Sequence, residues 1–131
     1  MKLPARTAGT FSRALRLLTR EGSRAVSGGG SPARSGQLSL GQALAKCSLE
    51  PARLLQDRVP SLSGKGRLQP GCDADIVVFD PAAIGDQSTY TDSTRPSTGI
   101  RHVLVNGAFV VRDTGIVAGA LPGRPVRADP R

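Results

Sequence analysis

The sequence is poor in the side chains that most enzymes use for chemistry. Its 131 residues include one His, two Cys, one Tyr and no Trp, and aromatic residues make up only 3%. A hydrolytic zinc site needs about three protein ligands and an open position, so His102 cannot supply a histidine ligand set. Cys47 and Cys72 are too few and too far apart in sequence for a disulfide framework or a CxxC metal motif, and they read as reduced thiols of a cytoplasmic protein. No apolar run approaches the ~18 residues of a membrane span, and no secretory h-region is present. With so few aromatics, any core must be built from Leu, Val, Ile and Ala.

Charge is plentiful but unevenly placed. The formal net charge is +8. Residues 1–35 carry seven basic groups against Glu21 alone, so they account for +6 of it, while residues 36–131 carry eleven basic and nine acidic groups. A basic stretch can meet nucleic acid or an anionic membrane. No aromatic sheet motif, zinc-finger spacing or helix-turn-helix pattern accompanies it, so neither a nucleic-acid nor a membrane partner is expected.

The pattern along the chain predicts helices first and strands afterwards, an α+β order. Thr10 is a good N-cap for a helix over 10–21, with Phe11, Ala14, Leu15 and Leu18 on one face and Gly22 at its end. Residues 22–37, GSRAVSGGGSPARSGQ, read as a flexible loop. Ser39 with Gln42 makes a capping box for a helix over 39–47, with Leu38 and Ala43 at staple spacing. Ser48 can cap a third short helix that tolerates Pro51 in its first turn. Residues 75–80, DIVVFD, read as a strand covered on both faces. Asn106-Gly107 between two apolar runs is a type I′ hairpin signal, pairing Val105 with Ala108 and Val103 with Val110. Asp113-Thr114-Gly115 turns again, and Ile116-Val117 can start another strand.

Candidate chemistry is sparse. His102 opens a predicted strand and reads as structural. Asp73 and Asp75 share one face of an extended segment; paired carboxylates can do acid–base work or hold a cation, but here they read as caps for the turn after Gly71. Asp80 and Asp86 read as turn formers. There is no G-x-S-x-G elbow, and Gly28-Gly29-Gly30 lacks the G-K-[ST] ending of a phosphate loop. No residue is assigned as catalytic, cofactor-binding or metal-binding.

Several stretches resemble the amidohydrolases, and within them the N-acyl-D-amino-acid deacylases (D-aminoacylases). GRLQPGCDADIVVFD at 66–80 and VLVNG at 103–107 are similar to strand segments found across that superfamily. PARTAGTFSRAL at 4–15, LSLGQALAKCSLEPARLL at 38–55, DPAAIGDQSTY at 80–90 and GALPGRPVR at 119–127 resemble the deacylases in particular. Two departures stand out. The loop at 22–37 is longer than the family's, and Asp92-Ser93 stands where the family has Asp-Pro, with Pro96 displaced.

The resemblance implies terminal helices of a TIM-like barrel followed by the C-terminal strands of a small β-sandwich, an incomplete fold. The segments would be 1–21 (barrel-derived helix), 22–37 (loop), 38–58 (barrel-derived helices), 59–127 (sandwich strands) and 128–131 (tail). The intact relative would cleave the amide of N-acyl-D-amino acids with a zinc-activated water, whose ligands precede the G-T-F segment. The chain is therefore expected to be an inactive fragment with no cofactor of its own. Its expected partner is the missing N-terminal barrel. The alternatives are a non-catalytic docking module, or an organelle-imported protein whose Arg-rich residues 1–35 are a presequence.

Overall fold

Asn106 and Gly107 sit between two β-branched runs, and both take positive φ, 48° and 79°. That is the type I′ conformation, whose twist matches that of the strands it joins. In the computed structural model, which describes residues 6–19, 38–89 and 91–128, the turn links β2 (Ile100–Val105) to β3 (Ala108–Arg112). Val105 faces Ala108 and Leu104 faces Phe109, but Val103 faces Val111, not Val110. A bulge absorbs Val110 and breaks strict alternation, leaving both valines half-buried. The carbonyl of Val110 accepts a hydrogen bond from Val117 at 2.9 Å.

Two more strands complete an antiparallel sheet in the order β1-β2-β3-β4. β1 (Ile76–Phe79) pairs with β2, and β4 (Gly115–Ile116) pairs with β3. Asp113 and Thr114 form the last turn with φ of 50° and 67°, an uncommon conformation for a β-branched residue. The expectation that β1 is covered on both faces does not hold. Val77 and Val78 are 53% and 42% exposed.

α1 spans Arg6–Leu18, starting a turn earlier than Thr10 would set it, so Thr10 lies inside the helix. The predicted apolar face is only partly buried. Leu15 is buried, but Phe11 is 65% exposed and Leu18 40%. The sheltered residues are Gly9, Ser12, Leu15 and Thr19, a narrower and more polar stripe at helical spacing. A backbone bridge joins the end of α1 to Leu38, whose amide donates to the Leu18 carbonyl at 3.1 Å.

α2 (Leu40–Cys47) begins with a reciprocal capping box. The Ser39 amide donates to Gln42 Oε1 at 2.9 Å, and the Gln42 amide donates to Ser39 Oγ at 3.2 Å. Ala43 behind it is fully buried. α3 spans Leu49–Leu55; Ser48 holds the N-cap position but makes no side-chain capping bond. A short 3-10 helix, Pro60–Gly64, follows. Arg67 secures this corner, donating from Nη1 to the Ser63 carbonyl at 2.6 Å and the Lys65 carbonyl at 3.0 Å, and from Nη2 to Gln56 Oε1 at 2.9 Å.

The chain divides into two units. One comprises Met1–Leu44 with Asp80–Gly99, the other Ala45–Phe79 with Ile100–Arg131. The first contains α1 and the segment between β1 and β2; the second contains α3 and the sheet. Among the described residues no helix is long and apolar enough to cross a membrane. The expected loop at 22–37, the Gly28–Gly30 run and most of the 128–131 tail lie outside the described residues.

Gly107→Val is expected to destabilise the protein by about 1–2 kcal/mol, because a β-branched residue resists left-handed φ. Chemical denaturation of the two proteins reads this directly. An unchanged midpoint would show that the hairpin does not depend on its type I′ turn.

Candidate functional site

Ile76 leads β1 into the sheet, and the two acidic residues just before it, Asp73 and Asp75, form a charged cluster with Lys65. Lys65 lies between them, with Nζ 3.0 Å from Asp73 Oδ2 and 2.5 Å from Asp75 Oδ2. The other oxygen of Asp75 accepts the backbone N–H of Asn106 at 2.9 Å. Beside it, the Ala74 carbonyl accepts the N–H of Gly107 at 3.0 Å. Asn106 Nδ2 in turn donates to the Pro122 carbonyl at 2.6 Å. Asp75 therefore caps a turn, but the hairpin turn 31 residues on, not the turn after Gly71. Neither Lys65 nor Asn106 was singled out as its partner in the sequence, because no local pattern links positions so far apart.

The electrostatics follow from this geometry. Lys65 and then the Asn106 amide hold the Asp75 carboxyl below its usual range, against a smaller opposing effect of burial. The Asp75 hydrogen bond is also the main cause that raises Lys65, again against burial. Both carboxylates are occupied by a cation, and Asp75 by an amide as well. The arrangement favours the charged forms, which suits a structural pin better than a group that must exchange protons.

His102 lies in β2. Its Nδ1 accepts the Asp113 N–H at 3.2 Å, and its ring meets Phe109 edge-on with centroids 5.8 Å apart. Arg112 lies over the Phe109 ring, its Cζ 5.3 Å from the centroid. Asp80 accepts the Ala82 N–H at 2.9 Å, an Asx turn. Asp86 Oδ1 accepts both the N–H and the hydroxyl of Ser88, at 2.8 and 2.7 Å. Ser88 and Arg13, 3.7 Å from Oδ2, hold this carboxyl below its ordinary value, the serine more strongly. Cys47 and Cys72 are both free thiols.

Among the described residues no three His, Cys, Asp or Glu side chains converge as metal ligands would. His102, Asp75 and Asp86 each use their polar atoms on neighbouring protein groups. This donor set does not fit a catalytic zinc ion, which needs about three ligands turned to one point with a position left open.

Comparison with known proteins supplies the family. The family model described as "Amidohydrolase family" matches residues 7–111. The N-acyl-D-glutamate deacylase of Alcaligenes xylosoxydans xylosoxydans is 40% identical over 92 residues, covering 70% of this chain and 17% of that protein. The D-aminoacylase of the same organism is 46% identical over 66 residues, covering 48% of this chain and 14% of that one. The crystal structure of N-acyl-D-glutamate deacylase from Bordetella bronchiseptica, complexed with zinc and a phosphonate mimic of the tetrahedral intermediate, aligns with a TM-score of 0.65 and 35% identity, covering 92% of this chain and 21% of that chain. The chain belongs to the amidohydrolase family. It spans about a fifth or less of the length of these relatives. The family match begins at residue 7, inside α1, which does not favour reading residues 1–35 as a presequence.

Asp75→Ala is expected to lower stability by about 1–2 kcal/mol at neutral pH, since two hydrogen bonds to a partly exposed carboxylate are lost. A depressed carboxyl contributes its stabilisation above its ordinary pKa and loses it as pH falls through the folded value. Raised Lys65 contributes below its ordinary pKa and loses it as pH rises through the folded value. The gap between parent and variant should therefore be widest from about pH 5 to pH 10 and should narrow in acid. Denaturation midpoints across pH test this; a gap undiminished in acid would refute the electrostatic account.

Proposed function

We propose that this chain serves as a distal, non-catalytic segment of an amidohydrolase that cleaves the amide of N-acyl-D-amino acids. On this reading α1–α3 are terminal helices of its barrel and β1–β4 belong to its small β-sandwich. The observation that carries the proposal is the combination of 35–46% identity to the deacylases with a span of 14–21% of their length. The metal ligands and the proton-handling carboxylate would come from the part of the fold that this chain does not match.

Burial supports the same reading. Among the described residues only Leu15, Ala43, Ala52 and Ile84 are buried apolar residues, while thirteen large apolar residues are exposed, including Leu54 at 81%, Leu68 at 84% and Ile116 at 78%. An autonomous domain of this size buries most such side chains. The proposed cover is the remaining barrel of the same enzyme. A free-standing docking module for an unrelated partner is not favoured, because the family match runs through both helices and sheet.

The purified chain is expected not to hydrolyse N-acetyl-D-methionine with added zinc, and to retain well under one zinc ion per chain after dialysis. Metal-assisted hydrolysis needs an ion fixed with an open coordination position. The assay is acetate release, with metal analysis of the same sample. Turnover that persists through purification and disappears in His102→Ala would overturn the proposal.

A further inference from the structure

We propose that Asp86 is a latch that seats α1 on the segment between β1 and β2, through a gap that only a glycine at position 9 leaves open. The proposal goes beyond the functional reading and does not depend on it.

Gly9 lies on the sheltered face of α1. A Cβ placed there would overlap Oδ1 and Cγ of Asp86. The carboxylate thus occupies the space that a side chain at position 9 would fill, and only 10% of its side-chain surface remains exposed. It is not free to swing aside. Oδ1 is held by the Ser88 N–H at 2.8 Å and its hydroxyl at 2.7 Å. Oδ2 faces Arg13 Nη1 at 3.7 Å, one helical turn beyond Gly9.

The rest of the contact follows the same line. Ser12, 6% exposed, donates from Oγ to Ser97 Oγ at 2.8 Å. Arg16 Nη1 would lie 3.2 Å from a Cβ at Gly85. Residues 9, 12, 13 and 16 form one face of α1, so helix and loop meet through a polar seam with Asp86 at its N-terminal end. The cation facing Asp86 across this seam is Arg13. Apolar packing adds only Leu15 to the buried positions of this face, since Phe11, Leu17 and Leu18 are exposed. Gly9 and Asp86 belong to two separate stretches of sequence, and their meeting makes the position of α1 conditional on one carboxylate.

The test is amide hydrogen exchange on the purified chain and three variants, Gly9→Ala, Asp86→Ala and the double substitution. Gly9→Ala is expected to speed exchange of residues 12–19 by about tenfold or more while leaving the β2–β3 hairpin within about twofold. The double variant should exchange no faster than Asp86→Ala alone, because the added methyl group then enters vacated space; such non-additivity is the mark of direct contact. Unchanged exchange in Gly9→Ala, additive effects in the double variant, or α1 amides unprotected in the parent would each overturn the latch. Should Gly9→Ala fail to fold, rescue by Asp86→Ala in that background supports the latch, and failure of rescue overturns it.

Discussion

Asp75 accepts the Asn106 amide with one carboxylate oxygen and the Lys65 ammonium with the other. Much of the second unit depends on this double use. The Asn106 amide belongs to a type I′ turn and points out of the hairpin, where it would otherwise need water. Asp75 satisfies it and thereby fixes the register of β1 against the hairpin tip, with Ile76 opposite Leu104. Through Lys65, the same side chain ties the hairpin to the corner that follows the 3-10 helix. Arg67 then carries the connection back to Gln56 at the end of α3. Four segments are joined by four polar side chains, those of Asp75, Lys65, Arg67 and Gln56.

Polar pins of this kind specify position more than they supply stability. The side chains of Lys65 and Asp75 are 24% and 33% exposed, and ion pairs in such surroundings contribute roughly 0–1 kcal/mol each. Full burial of one Leu or Val contributes roughly 1.5–3 kcal/mol. The chain has many apolar residues that could supply burial on that scale, yet Val77, Val78 and Ile116 remain in water. The strands are in register while part of the sheet's apolar surface stays exposed.

What was legible in the sequence was what neighbours in sequence determine. The hairpin turn at Asn106-Gly107, the Ser39–Gln42 capping box and the Asx turn at Asp80 all formed where local chemistry placed them. Each depends on residues within a few positions of one another. What escaped was set over longer range. Thr10 looks like a helix start, but α1 begins at Arg6, and the face it buries is chosen by Asp86 and Ser97 in a loop more than seventy residues away. The bulge at Val110 could not be read from alternation, because the run Val103–Val111 is apolar at most positions and tolerates either register. The candidate site followed the same rule. Asp73 and Asp75 stood out as a pair, but their role was decided by Lys65 and by a backbone amide 31 residues on.

On the proposed reading, these two scales of order bear on how a segment of an enzyme keeps its shape apart from the residues that carry the chemistry. The polar contacts, from Asp86 on Ser88 and Arg13 to Asp75 on Lys65 and Asn106, lie wholly inside the chain. They are satisfied without help from any other part of the family fold. The exposed apolar residues are the complement: they have a place in the sheet and helices but little to pack against. Directional bonds require an exact partner, so a segment that supplies its own can be arranged before it docks. Apolar burial is non-directional and scales with area, so it can be supplied by any surface of matching shape. In the proposed assembly the internal pins set the geometry of this segment, and the barrel it covers adds the apolar burial that the segment lacks.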